Sequence, residues 1–370
     1  MNRAMRSPGD WWRGWLPRDI DLPLLLGLLA LAALSLVVVY SAGGGDTDMV
    51  FKQAMRLGLG FVLLLICARI PPSAFRRWSP WFYGLCLLLL VAVVVAGEGK
   101  GAQRWLDLGV LRFQPSELMK LALPMMLAWY FHERVLPPRL GALLVAAVMV
   151  GVPVVLITIQ PDLGTALLVA LSGAFVIYLA GLSWWWILGA LLAISAYAPV
   201  HWTYFMHDYQ KQRVYNFLDP NADPLGSGWQ TMQSQIAVGS GGLSGKGWTE
   251  GTQSQLEFLP ERHTDFILAV YSEEFGWIGV AVLLVLYLFV VGRALWIASQ
   301  AKDTYGRLVA GAVAMTFFVY VLVNGAMVTA MMPVKGVPLP LVSYGGTSAV
   351  SLLIAFGLLM SAYAHRRMLG

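Results

Sequence analysis

The chain of 370 residues is 58% hydrophobic and only 12% charged, with a formal net charge of +5. This apolar content exceeds that of soluble globular proteins, and the apolar residues come in runs of about 20, enough to cross roughly 30 Å of hydrocarbon. The composition therefore excludes a pair of soluble domains and predicts a polytopic membrane protein, for which we expect no nucleic-acid partner.

We predict an all-α fold of about ten transmembrane helices, because runs of this length are too long and too uniformly apolar for barrel strands. The spans lie near residues 20–42, 53–70, 81–97, 115–132, 140–160, 164–181, 184–205, 266–297, 307–330 and 347–364. The eighth is too long for one crossing, so we expect it to begin as an interfacial helix at 266–275. Residues 1–370 would then form a single integral membrane domain, with a large loop at 206–265.

The distribution of basic residues predicts which side each loop faces. The N-terminus and the even-numbered loops hold 14 of the 25 lysines and arginines, whereas the opposite short loops hold seven. Because cytoplasmic loops are enriched in lysine and arginine, both termini should be cytoplasmic and the 206–265 loop should face outward. We therefore expect a multi-pass membrane protein.

The polar residues that remain are concentrated in the outward loops. These loops and the helix ends beside them carry acidic and basic groups that should converge on one face: Asp107, Glu117, Asp162, Asp265, Arg104, Lys120, Lys246, Arg262 and Lys335. Ionisable groups at the edge of the hydrocarbon are candidates for function. The outward face is therefore where chemistry is expected.

Several of these residues also have a purely structural interpretation. Asp162, in Pro-Asp-Leu-Gly-Thr, is typical of a turn or helix N-cap. Glu117 and Lys120 are spaced i,i+3, so a local ion pair is an alternative to a site. The stretch GSGGLSGKGW at 239–248 lacks the spacing of a nucleotide-binding P-loop. It is interpreted either as a flexible loop or as a backbone cradle for a phosphorylated ligand.

Asp265 is the strongest candidate for a catalytic group. Thr264 is a plausible N-cap for a helix beginning near Phe266, which would place Asp265 in the first helical turn, where the helix dipole favours a carboxylate. Arg262 and His263 would favour the ionised form further. A carboxylate held ionised at a membrane surface suits a general base; a capping-turn aspartate is the structural alternative.

Several motifs occur in an order that resembles the SEDS family (shape, elongation, division and sporulation). They are KGAQRWLDLG, RFQPSELMK, QPDLGT, GSGGLSGKG, LPERHTDFI and PLPLVSYGG, and the resemblance runs from about residue 20 to the C-terminus. Arg262 favours the elongation branch of the family, because the division branch more typically has alanine there.

The resemblance implies ten membrane helices and a peptidoglycan glycosyltransferase that polymerises lipid II outside the cytoplasmic membrane. It implies a class B penicillin-binding protein as crosslinking partner, together with other membrane proteins of the elongation complex. The family's catalytic aspartate falls on Asp265, and Glu117 and Lys120 match a functional pair that lines its central cavity.

The chemistry implied is an inverting displacement of undecaprenyl pyrophosphate, with Asp265 taking the proton from the acceptor 4-hydroxyl. The candidates for binding the pyrophosphate are Lys120, Arg104, Lys246 and Arg213. A divalent cation, Mg²⁺ or Mn²⁺, could share that role, but no motif fixes it. Two other classes stay open: a lipid II flippase, and a scaffold that recruits the penicillin-binding protein.

Overall fold

The computed structural model describes residues 20–96, 106–107, 112–206, 208–219, 227–255, 259, 261–333 and 336–365. The helices are α1 (Leu22–Ala42), α2 (Thr47–Arg69), α3 (Pro72–Ala96), α4 (Pro115–His132), α5 (Leu140–Ile159), α6 (Leu163–Leu179), α7 (Trp184–Val200), α8 (Asp208–Leu218), α9 (Ser227–Ser240), α10 (Thr252–Gln255), α11 (Ile267–Gln300), α12 (Thr304–Val328) and α13 (Thr347–Ala364). A π-helical segment, His201–Phe205, extends α7. A short antiparallel hairpin pairs β1 (Leu106–Asp107) with β2 (Arg112–Phe113).

The helices confirm the all-α membrane fold. Within the described residues, each predicted span overlaps one of α1–α7 and α11–α13. Seven of these helices are long and apolar enough to cross a membrane, and α6 is a shorter apolar helix of 17 residues. The 206–265 segment contains α8, α9 and α10, so it is largely helical where the structure describes it.

The interior of the bundle is built around α12 and α13. In the most apolar 18-residue stretch of each helix, 72% of the residues of α12 and 67% of those of α13 are buried. The corresponding fraction for α5 is 17%, so α5 is a peripheral helix. Helix α12 packs against α4, α6, α11 and α13, and Phe317 of α12 meets Phe356 of α13 edge-on, with 5.0 Å between the ring centroids. This central position lets α12 contact several of the candidate site residues.

Helix α11 is divided by a kink at Gly276, whose φ of 62° and ψ of −164° are not helical. The kink follows the predicted interfacial segment 266–275 directly and separates it from the long apolar part of the helix. Only glycine fits here, because a Cβ at Gly276 would lie 2.3 Å from the backbone nitrogen of Gly245. The glycine-rich loop after α9 therefore sits directly on the kink.

Candidate functional site

The first part of the candidate site is the buried ion pair at the start of α4. Lys120 Nζ lies 2.6 Å from Glu117 Oε1, and each side chain is only about a tenth exposed. The ammonium also lies 5.0 Å from the centre of the Tyr320 ring on α12, a cation–π arrangement. The predicted i,i+3 pair is thus present, but it is buried against a neighbouring helix rather than exposed on the surface.

The ion pair opens into a small cavity between α4, α12 and α13. The polar groups around it are Glu117, Lys120, Thr316, Tyr320 and Ser351, and the rest of the lining is apolar. The hydroxyl of Thr316 is buried without a hydrogen-bond partner. The Lys120 ammonium thus lines a cavity inside the bundle instead of facing solvent, as it would in a surface ion pair.

The second part of the site is the turn that carries Asp265. Residues 261–266 form a turn and α11 begins at Ile267, with Phe266 at the N-cap position. The Thr264 hydroxyl does not cap the helix, because it bonds back to Glu261, 2.8 Å from Oε2. The predicted Thr264 cap is therefore wrong, and Asp265 lies just before the helix rather than in its first turn.

Three long-range hydrogen bonds hold the backbone of this turn. Asn324 Nδ2 donates to the carbonyl of Asp265 at 2.9 Å, and Ser343 Oγ donates to the carbonyl of Thr264 at 2.6 Å. The amide of Tyr344 donates to the carbonyl of His263 at 2.9 Å. The PLPLVSYGG loop and α12 thus fix the position of Asp265 from two sides.

The backbone at Gly336, just before Val337, approaches the Asp265 carboxylate closely. A Cβ built on Gly336, whose φ is +68°, would lie 3.3 Å from Asp265 Oδ2. The loop backbone therefore runs close to the carboxylate, and a side chain at 336 would crowd it.

Asn324, Ser343 and Tyr320 were not among the residues predicted from the sequence. Asn324 and Tyr320 are spaced i,i+4 on α12 and therefore share one face of that helix. This face contacts Lys120 through Tyr320 and Asp265 through Asn324, so it connects the two parts of the site. A buried amide in an apolar span was the available signal, since polar groups inside a membrane are costly without a partner.

Lys246 lies in the glycine-rich loop and is engaged with α11. Its ammonium is 2.6 Å from Glu273 Oε1, a side chain that is fully buried, and 2.8 Å from Thr252 Oγ1. The backbone N–H groups of Lys246 and Gly247 donate to the carbonyls of Glu273 and Glu274. The N–H groups of Lys246 and Gly247 therefore latch the loop onto the helix and are not directed at a phosphate.

Asp162 has the structural role that its motif suggested. It is the N-cap of α6, accepts a hydrogen bond from Thr165 N at 3.2 Å, and also accepts one from Gln114 Nε2 at 3.1 Å. The second bond ties the start of α6 to the residue before α4. Asp162 thereby helps to place the helix that carries Glu117 and Lys120.

Three of the other predicted cations have side chains outside the part of the chain that the structure describes. Arg104 and Lys335 lie outside the described residues, and Arg213 belongs to α8, where only its backbone is described. Near the turn, the centres of the His263 and Tyr344 rings are 5.8 Å apart. The Arg56 guanidinium lies 4.9 Å from the centre of the Tyr344 ring. Arg56, which the sequence did not mark as a site residue, therefore lies near the Asp265 turn.

The comparisons with known proteins cover almost the whole chain. The profile of the FtsW/RodA/SpoVE family, described as a cell cycle protein, matches residues 18–368. The chain is 51% identical over 356 residues to the peptidoglycan glycosyltransferase MrdB of Escherichia coli strain K12, with 96% of each protein covered. It is 38% identical to the probable peptidoglycan glycosyltransferase FtsW of Trichlorobacter lovleyi, covering 94% of this chain and 93% of that protein.

Solved structures agree with the sequence relatives. One comes from work on structural coordination of polymerization and crosslinking by a peptidoglycan synthase complex. Its TM-score is 0.82 at 33% identity, with 94% of this chain and 98% of that chain covered. The Thermus thermophilus rod shape determining protein RodA gives a TM-score of 0.72 at 30% identity, with 96% and 99% covered. The chain therefore belongs to the SEDS family, the FtsW/RodA/SpoVE group of cell cycle proteins.

Proposed function

We propose that this protein is a peptidoglycan glycosyltransferase that polymerises lipid II into β-1,4-linked glycan strands during cell elongation. The observation that carries the proposal is the position of Asp265, whose turn is held by α12 and the PLPLVSYGG loop while the same face of α12 meets Lys120. The relatives named peptidoglycan glycosyltransferase support the reaction class.

In the proposed mechanism Asp265 is the general base. Joining sugars by a β-linkage from an α-linked donor requires inversion, so one in-line displacement suffices and one group must take the proton from the acceptor 4-hydroxyl. A carboxylate can do this when it is held within hydrogen-bond reach of that hydroxyl.

The leaving group carries the pyrophosphate, and cations must stabilise its developing charge. We assign this role first to Lys120, because its ammonium lines a cavity and lies against α12, the helix that also holds Asp265. Arg104 and Arg213 remain proposals from the sequence. Lys246 already contacts Glu273 and Thr252, so its contribution would be to hold the loop on α11 rather than to bind phosphate directly.

A divalent cation was considered from the sequence as a partner of the pyrophosphate. In the part of the chain that the structure describes, no three His, Cys, Asp or Glu side chains come together as a metal site. No step of this mechanism passes through such an ion.

The proposed setting is the outer face of the bacterial cytoplasmic (inner) membrane, with both termini cytoplasmic and the 206–265 segment outside. The excess of lysine and arginine in the opposite loops supports this orientation. A class B penicillin-binding protein is the proposed crosslinking partner, alongside other membrane proteins of the elongation complex. The similarity to a peptidoglycan synthase complex that coordinates polymerization and crosslinking supports it.

The test is polymerisation by the purified full-length protein. Labelled lipid II, given with and without the partner penicillin-binding protein, should be converted into glycan polymer, and moenomycin should not block the conversion. Resistance to moenomycin excludes a contaminating classical glycosyltransferase. Movement of lipid II across vesicles without any polymer would favour the flippase instead, and inactivity in every arm would leave the scaffold.

A further inference from the structure

The most completely buried polar side chain in contact with the Asp265 turn is Asn324. It is 0% exposed in α12, and its Nδ2 lies 2.9 Å from the Asp265 carbonyl and 2.7 Å from the Val337 carbonyl. Both neighbours are acceptors, so the NH₂ end of the amide must face them. One side chain thus uses two donors to join two separate segments of the chain.

The other end of the same amide is unsatisfied. Asn324 Oδ1 is buried with no hydrogen-bond partner, and a buried acceptor without a donor carries a free-energy cost. A leucine at this position would avoid that cost in an apolar helix. The residue is therefore explained by what its two donors hold, rather than by a fully satisfied polar network.

The two segments that Asn324 joins both lie next to the Asp265 carboxylate. One is the turn that contains Asp265, and the other is the loop at Gly336 and Val337, whose backbone passes close to Asp265 Oδ2. Ser343 also holds the turn: its Oγ donates a hydrogen bond to the Thr264 carbonyl and accepts one from Leu339 N at 2.8 Å. These bonds hold the Asp265 turn and the Gly336–Val337 backbone, which approaches Oδ2, in a fixed position relative to each other.

We propose that Asn324, with Ser343 on the adjacent carbonyl, is a positioning residue that sets the direction of the Asp265 carboxylate toward the acceptor hydroxyl. This inference rests on the proposed function, in which Asp265 is the base. Displacing a reacting group by about 1 Å can cost on the order of 10²-fold in rate. Asn324 would contribute to turnover without touching the substrate.

A purely structural role makes a different prediction. A support that only stabilises the fold lowers the fraction of folded protein and leaves the turnover of each folded molecule unchanged. A positioning residue lowers kcat per folded molecule while KM for lipid II stays constant, because the interaction lost acts at the reacting atoms. Turnover must therefore be normalised to the folded, membrane-inserted protein.

The matched control is Ser361, a fully buried serine of α13. Its hydroxyl donates to the Ile70 carbonyl at 2.5 Å, a long-range bond of the same type as that of Ser343. Ser361 lies near the C-terminal end of α13. Its hydroxyl bond to Ile70 reaches neither the Asp265 turn nor the Glu117–Lys120 pair. Ser361→Ala removes a comparable bond and should leave kcat and KM close to wild type.

In the experiment, purified Asn324→Leu, Ser343→Ala and Ser361→Ala are compared for lipid II polymerisation, KM and folded fraction. We expect Asn324→Leu to lose about a hundredfold in kcat with KM unchanged, and Ser343→Ala to fall in the same direction by less. If Asn324→Leu does not fold, the kcat and KM of Ser343→Ala decide the outcome. A kcat equal to that of Ser361→Ala, or a loss confined to KM, would overturn the proposal.

Asp265→Asn and the double variant Asp265→Asn/Asn324→Leu separate this inference from the proposed function. If Asn324 acts through Asp265, the double variant should be no slower than Asp265→Asn alone, because the two losses are not additive. A double variant slower than Asp265→Asn by the full factor lost in Asn324→Leu would overturn the positioning role, even where Asp265→Asn itself is strongly impaired. Near-wild-type turnover of Asp265→Asn would instead remove the base assignment itself.

Discussion

Replacing Gly245 by alanine should detach the glycine-rich loop from the kink of α11. Its φ is +83°, and an added Cβ would lie 2.1 Å from the carbonyl oxygen of Glu274 and 2.5 Å from its carbonyl carbon. These are backbone atoms of a helix, so neither can rotate away as a side chain would. The loop itself must move.

The magnitude follows from the bonds that would be lost. Four backbone hydrogen bonds join the loop to α11: Lys246 N to Glu273 O, Gly247 N to Glu274 O, Trp277 N to Gly242 O, and Ile278 N to Leu243 O. At about 1 kcal/mol net for each bond, displacing the loop should cost about 2–4 kcal/mol. The left-handed backbone adds about 1–2 kcal/mol for alanine.

Two other glycines separate these contributions. A Cβ on Gly242, at φ +56°, meets nothing within 4 Å, so Gly242→Ala isolates the backbone strain of about 1–2 kcal/mol. Gly239, in the last turn of α9, also has open space, and alanine there should stabilise the helix by about 0.5–1 kcal/mol.

The assay is the free energy of unfolding of the three purified variants, measured by denaturant titration in mixed micelles. We expect Gly245→Ala to be destabilised by about 2–4 kcal/mol more than Gly242→Ala. Equal stability of these two variants would refute the reasoning, because the clash would then have been relieved without breaking the loop's bonds to α11.

The remaining predictions concern the ion pair and the orientation in the membrane. The double swap Glu117→Lys with Lys120→Glu should give a folded but inactive protein, because it puts a carboxylate where Lys120 faces the Tyr320 ring. If the pair were only a local one, worth about 0.2–0.5 kcal/mol, the swap would keep most of its activity in the polymerisation assay. In a cysteine-free background, a cysteine at Gly242 should react with an impermeant reagent outside intact spheroplasts, whereas one at Lys302 should not. The reverse labelling pattern would contradict the orientation on which the proposed function depends.

The helices and the ion pair could be predicted because their signals are local. A run of apolar residues fixes a span by its length alone, and the i,i+3 spacing of Glu117 and Lys120 places both on one side of a helix. Asp162 is likewise a cap read from its own motif. These features need no knowledge of which helices become neighbours.

The supports of Asp265 could not be predicted because their partners are distant in sequence. Asn324 lies 59 positions from Asp265, and Ser343 lies 79 positions from Thr264. Nothing in the local pattern says which carbonyl each will meet. The Thr264 cap was predicted wrongly for a different, local reason: the Thr264 hydroxyl bonds to the Glu261 side chain three residues earlier.

The contact of the glycine-rich loop with α11 could not be predicted because glycines admit two physical uses. Close approach of a backbone to a phosphate and close approach to another backbone both exclude a Cβ. At Gly245 and Gly276 the partner is backbone, and the deciding information is the kink of α11, which the sequence does not encode in any single motif.

The most direct test of the central claim is the turnover of Asp265→Asn. Asparagine keeps the shape of the side chain but cannot accept a proton as a carboxylate does, and general bases contribute about 10²–10⁴-fold. Polymer formed from lipid II per folded molecule should therefore fall by at least about a hundredfold, while lipid II binding and association with the penicillin-binding protein are retained. Polymerisation near the wild-type rate would contradict the assignment of Asp265 as the base.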